Sequence, residues 1–236
     1  MFRAKNGWAG AGRRMRLVGA SLIVVFALSA VAAASASASP EFSSTQGFVA
    51  KGGKATFEGA GQTVKCKRAE SSGVGGLSGT EVGFYVFFSD CVGSRGTVCT
   101  LPGENPGVIG LEVQGQLGYI SKKKKPKVGV AFAGAIGEEL LTVFECVSST
   151  ETDYVIAKGN LIGEIGPVNV PTEALNIKFK QAGGVQRPAS FEGGPTLALE
   201  GYIDPFEYTL TGAIETSAAV QLKTTLILSE PVEIKA

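Results

Sequence analysis

The chain has 236 residues, of which 44% are hydrophobic and 18% charged. That balance excludes a disordered chain and leaves room for one large β domain or two small ones. There is no histidine among the 236 residues, which excludes Ser-His-Asp and Cys-His catalysis and histidine-bound zinc or copper. The formal net charge of +1 is unevenly distributed: Arg3, Lys5, Arg13, Arg14 and Arg16 precede the first acidic residue.

Those basic residues open a segment that reads as an export leader over residues 1–38. Residues 17–33 are uncharged and apolar, and Ala34, Ser35, Ala36, Ser37 and Ala38 then offer two A-x-A sites. Cleavage after Ala36 or Ala38 is expected. An uncharged run of this length could also nearly span a bilayer, but the small-residue exit favours cleavage over an anchor. Arg13 and Arg14 hint at twin-arginine export, yet Arg16 stands where that signal wants a large apolar residue. No cysteine follows the apolar run, so a lipoprotein is not expected. Nor does a second apolar span follow, so no stable membrane span should remain after cleavage. The mature chain would keep 17 basic and 21 acidic side chains, a net of −4, which argues against nucleic-acid binding.

Beyond the leader the chain reads as strands and turns in a single all-β domain, 39–236. Glycine, 33 of 236 residues, is about twice its usual share of roughly 7%. Residues 39–51 read as an exposed entry segment. Residues 54–58 (KATFE) and 62–68 (QTVKCKR) read as strands, and 71–79 as a Gly/Ser-rich continuation or loop. Residues 81–90 (EVGFYVFFSD) form the densest aromatic and β-branched run. In 107–120, Ile109, Leu111, Val113, Leu117 and Tyr119 share one face, with Glu112, Gln114 and Gln116 on the other, as in a half-buried strand. Lys122, Lys123, Lys124, Lys125 and Lys127 surround Pro126 between this strand and the apolar 128–133, predicting a hairpin. Strands are also expected over 138–147, 152–165, 173–181, 206–215 and 220–228. In 173–181, Leu175, Ile177 and Phe179 should point inward and Asn176, Lys178 and Lys180 outward. Residues 183–195 read as a Gly/Pro loop. The whole predicts an antiparallel sandwich or barrel of roughly ten to twelve strands.

Four cysteines in an exported chain predict two disulfides, for which three connectivities exist. The short Gly93- and Gly96-containing loop favours Cys91–Cys99, leaving Cys66–Cys146. Cys66–Cys91 is the alternative, if 62–78 and 81–91 form one long hairpin.

Nucleotide and calcium signatures are missing. GGKAT at 52–56 lacks P-loop spacing, GVGGLSG at 73–79 lacks dinucleotide-loop spacing, and there is no EF-hand loop or S-x-x-K motif. No cofactor is implied. Leu101-Pro102-Gly103-Glu104-Asn105 lacks the Thr-Gly of a sortase signal and sits mid-chain. Glu112, Glu138, Glu139 and Glu145 lie near the central strands and could in principle supply a glycosidase pair, although solvated strand faces and turns explain them better. Tyr85, Phe87, Tyr119, Tyr154, Tyr202 and Tyr208 could stack sugars, but the only tryptophan, Trp8, lies in the leader, and burial accounts for most aromatics. The five lysines at 122–127 are a candidate polyanion patch for wall polymer or lipid. A solvated hairpin tip that guards a sheet edge is the preferred explanation.

The elements FFSDC91, Cys99-Thr100, GQLGYI, FEC146, GNLIGEIGPVN and IKFKQAGGVQ resemble a recurrent group of uncharacterised exported proteins from actinobacteria. The resemblance covers most of residues 40–200. It implies secretion and a β fold and carries no activity, cofactor or catalytic residue. The expectation is a secreted, non-catalytic β protein that binds, or serves as a structural component, at the envelope or outside the cell. Its partner would be a cell-wall polymer or another envelope protein. The alternative is a carboxylate-based hydrolase acting on polysaccharide.

Overall fold

The computed structural model describes residues 39–59, 61–71, 75–134, 140–150, 152–204 and 214–236. The expected leader over residues 1–38, the carboxylates Glu138 and Glu139, and Tyr208 lie outside the described residues. All regular structure among the described residues is β. In chain order the strands are β1 (Glu41–Phe42), β2 (Gln46–Gly52), β3 (Ala55–Gly59), β4 (Gln62–Cys66), β5 (Arg68–Ser71), β6 (Gly75–Ser78), β7 (Glu81–Ser89), β8 (Val98–Thr100), β9 (Ile109–Ser121), β10 (Lys127–Gly134), β11 (Leu140–Val147), β12 (Thr152–Gly159), β13 (Leu161–Gly166), β14 (Thr172–Ala182), β15 (Val185–Arg187), β16 (Leu199–Asp204), β17 (Ile214–Ser217), β18 (Ala219–Val232) and β19 (Ile234–Lys235).

Of the two expected architectures, the chain forms the barrel. Its wall runs β2, β5/β6, β7, β9, β10, β13, β14, β18 in chain order, and the β18–β2 and β14–β18 pairings close it. β5 and β6 lie end to end, each between β2 and β7, so they fill one of eight wall positions. Every neighbour is antiparallel. The strand count exceeds the sequence expectation because long extended runs are broken. β2 and β3 follow one another along the same edge of β18. The expected strand over 152–165 divides at Gly159, whose φ of 94° turns the chain. β12 then joins a smaller sheet and β13 the barrel wall.

An eight-stranded barrel is just wide enough for side chains to fill it. Alternation supplies them: Leu175, Ile177 and Phe179 of β14 are buried, as expected, while Lys178 and Lys180 face water. Phe48, Phe84, Phe132 and Phe179 form a chain of rings across the interior, with centroids 5.5, 5.8 and 5.7 Å apart. Gly115 makes room for it. A Cβ there would stand 2.4 Å from Val130 and 2.8 Å from the Phe132 ring.

Short connections lie at one end of the barrel: Gly79 and Thr80, the lysine turn, and residues 167–171. Longer excursions at the other end build a five-stranded sheet, β17-β16-β12-β11-β8, and the β3–β4 hairpin. Phe57, Val64, Phe144, Val155, Leu199 and Val220 pack between them around an apolar cavity of about 40 Å³. This upper core is continuous with that of the barrel.

Residues 39–51 are not the exposed entry segment expected from sequence. Phe42, Phe48 and Ala50 are buried, β1 pairs with β19, and β2 is a barrel strand. Its alternation spans only seven residues with Gly47 and Gly52 inside it, so its partner β18, far along the chain, decides its place.

Candidate functional site

The four cysteines form a row across neighbouring extended segments. Cys66 ends β4, Cys91 follows β7, Cys99 lies in β8 and Cys146 in β11. The disulfides are Cys66–Cys91 and Cys99–Cys146, and no described cysteine is free. This corrects the favoured Cys91–Cys99 and Cys66–Cys146 pairing. Cys91 and Cys99 are indeed neighbours, since the Cys99 N–H donates to the Cys91 carbonyl at 3.1 Å. However, β4 and the end of β7 continue side by side, with mutual Lys65–Val92 backbone bonds, so Cys66 flanks Cys91 on the other side. Cys99 and Cys146 are direct cross-strand partners. All four are buried, so their role is to tie the upper strands together. On the outward side, register places the exposed Val92, Val98 and Val147 in a second row.

The lysine turn is the expected hairpin tip between β9 and β10, at the barrel end opposite these disulfides. Two of its five lysines are tied to the fold. The Lys122 ammonium lies 5.3 Å from the centre of the Tyr119 ring, and the Lys122 backbone N–H donates to the Glu192 carboxylate. Lys127 lies 3.9 Å from Glu164. Glu192 arrives on a strap that runs outside the barrel within the expected Gly/Pro loop. The Glu192 N–H donates to the Tyr119 carbonyl, and the Phe191 ring covers Gly118 so closely that a Cβ there would lie 2.6 Å from it. Lys123, Lys124 and Lys125 are exposed.

The described carboxylates expected near the central strands are placed on separate sheets. Glu112 is on the outer barrel wall opposite Tyr85, and Glu145 is on the upper sheet between Thr100 and Tyr154. Tyr85 and Phe87 stack on each other outside the barrel, with centroids 4.9 Å apart, over Gly110. A convergence missed in the sequence lies on β16 and β17. The Tyr202 hydroxyl donates to Glu200 at 2.8 Å, and Glu215 stands opposite Tyr202 on the next strand. Its pKa is pushed up to about 12, chiefly by the Glu200 hydrogen bond, then by burial and by the charges of Glu200 and Glu215. Lys158 lies over the same ring at 5.5 Å. The phenol is thus held protonated as a donor between carboxylates, the reverse of what a nucleophile requires.

A second feature missed in the sequence is an open groove of about 310 Å³ on the outer face of the β3–β4 hairpin, lined by Lys54, Thr56, Lys65, Lys67, Asp90 and Val92. Cys66, held by its disulfide to Cys91, lines it as well. Asp90, with a φ of 54°, turns the chain after β7 and aims its carboxylate at Lys67 (3.9 Å) and Arg68 (3.6 Å). Lys54 and Lys65 are exposed and make no ion pair among the described residues. The groove offers cationic donors beside a rigid β platform, a surface suited to holding anions. The signal for it was the run KGGKATFEGAGQTVKCKR, in which four lysines and an arginine fall on two short strands and their flanks.

No family model, curated protein or solved structure matches this chain.

Proposed function

We propose that this is an exported protein that acts at the cell envelope or outside the cell by binding through its outer surface. The observation that carries the reading is the groove whose Lys54 and Lys65 make no ion pair among the described residues, an anion-receptive surface beside a disulfide. Two buried disulfides are consistent with an oxidising compartment. The A-x-A sites and the resemblance to exported actinobacterial proteins support the same address. The ring-filled barrel interior directs recognition to the outside, where a cell-wall polymer or an envelope protein would meet it.

A second reading, a carboxylate-based hydrolase of polysaccharide, draws on Glu200 and Glu215 flanking Tyr202. A glycosidase must place the scissile oxygen between its two carboxyl groups. Here the Tyr202 hydroxyl bonds to one of them and stands opposite the other, and this favours binding over hydrolysis.

Fractionation of producing cells tests the proposal. The reading expects a protein beginning at Ser37 or Ser39, without free thiols, in the medium or wall fraction. A full-length, thiol-bearing protein in the cytosol would overturn it.

A further inference from the structure

We propose that the outer face of the barrel wall and of the adjoining β3–β4 hairpin carries a docking track for an extended polyanion, running across β14, β18, β3 and β4; this rests on, and deepens, the binding function proposed above. The central pair is Lys178 and Lys223, direct cross-strand partners on β14 and β18. Both are exposed, and neither makes an ion pair among the described residues. The row continues on the far side of β18. The Gly53 N–H donates to the Lys223 carbonyl at 3.2 Å, which sets Lys54 beside Lys223. Thr56 then pairs with Gln221 on one side and Lys65 on the other, so Lys65 faces the same way as Lys223. The track therefore runs Lys178, Lys223, Lys54, Lys65 and opens into the groove beside Asp90.

The carboxylates beside the track are Glu164, the cross-strand neighbour of Lys178 on β13, and Asp90 in the groove. Glu164 takes Lys180 at 3.5 Å and Lys127 at 3.9 Å, and Asp90 takes Lys67 and Arg68. Like charges directly opposite one another weaken a sheet; Lys178 meets the opposite charge of Glu164 on β13, so the unfavourable contact is the one with Lys223 on β18. Glu145, Glu200 and Glu215 lie on the upper sheet, while Glu58, two residues beyond Thr56 on β3, borders the track on that side.

The geometry selects the partner class. Strands about 4.8 Å apart put Lys178 and Lys65 at least about 14 Å from each other across three spacings. No single small anion reaches both, whereas a chain with repeating charges does. The groove at the end of the track is recessed, which admits a chain and not a planar bilayer.

The test uses the full mature protein and fluorescence anisotropy with labelled inorganic polyphosphate, labelled poly-glutamate and phosphatidylglycerol vesicles. Two track variants, Lys178→Gln with Lys223→Gln and Lys54→Gln with Lys65→Gln, are compared with a turn variant, Lys123→Gln with Lys124→Gln, which loses the same charge. At low salt the wild type should bind polyphosphate, each track variant should bind about tenfold more weakly, and the turn variant should bind within about twofold of wild type. High salt should release the polymer. Equal binding of poly-glutamate assigns the track to polyanions in general, and its failure assigns it to phosphate-bearing chains; either result supports the track. Equal losses in track and turn variants would overturn it, as would binding to vesicles without binding to either polymer. If the wild type binds neither polymer yet sediments with purified cell walls, the track is wrong and the binding function stands. If it does neither, both fail.

Discussion

Lys178 and Lys223 face one another across β14 and β18 on the outer wall of the barrel, each exposed and without an ion pair among the described residues. Glu164 on β13 gives Lys178 an opposite charge on its other side, so the unfavourable contact is the one with Lys223, and replacing Lys223 by an acid should relieve it. Lys223→Glu is expected to raise stability by about 0.2–1 kcal/mol in urea or thermal unfolding. The same variant should lose polyanion binding, a trade of function against stability. Unchanged or lower stability would show that the two ammonium groups do not repel.

The disulfides give a second expectation. Each closes a loop in the unfolded chain, with sequence separations of 25 and 47 residues. Loop-closure entropy then predicts losses of about 3.5 kcal/mol for the double Cys66→Ala, Cys91→Ala variant and about 4 kcal/mol for Cys99→Ala, Cys146→Ala. Non-reducing peptide mapping should find the Cys66–Cys91 and Cys99–Cys146 linkages. A Cys91–Cys99 peptide would contradict the upper sheet as described.

Tyr202 should titrate at about pH 12. Its folded pKa lies above the unfolded value of about 10, so its contribution is complete below pH 10 and is lost as pH rises from 10 to 12. Ultraviolet titration of wild type and Tyr202→Phe should differ by one late-ionising phenol. Glu200→Gln should shift that phenol downward, because the largest cause of its elevation is removed.

Gly115 should resist substitution. The methyl of Gly115→Ala would meet Val130 at 2.4 Å and the Phe132 ring at 2.8 Å inside the barrel. Overpacking of this kind costs about 1–3 kcal/mol, to be read in chemical denaturation. By contrast, Lys123, Lys124 and Lys125 changed to Ser should stay within about 0.5 kcal/mol of wild type.

Features that depend on neighbours in sequence were legible. The alternation of Ile109, Leu111 and Val113, the inward Leu175, Ile177 and Phe179, and the hairpin carrying the lysine turn all follow from a two-residue period. Features that depend on register between distant strands were not. Lys178 and Lys223 become partners only once β14 pairs with β18, and β2 becomes a wall strand only beside Thr224 to Leu228. Cys91 shows the same limit. It has a cysteine on each side in the sheet, and proximity along the chain pointed to Cys99, whereas side-chain geometry selects Cys66. The Tyr202 site escaped notice because Glu200 and Glu215 look like ordinary solvated residues until β16 and β17 are paired.

The most direct test of the account is co-sedimentation of the mature protein with purified cell wall at low and high salt, using wild type and the Lys178→Gln, Lys223→Gln variant. The account predicts that the wall retains wild type at low salt, releases it at high salt, and holds the variant far less. Failure of the wall to retain wild type at low salt, or equal retention of both proteins, would contradict it.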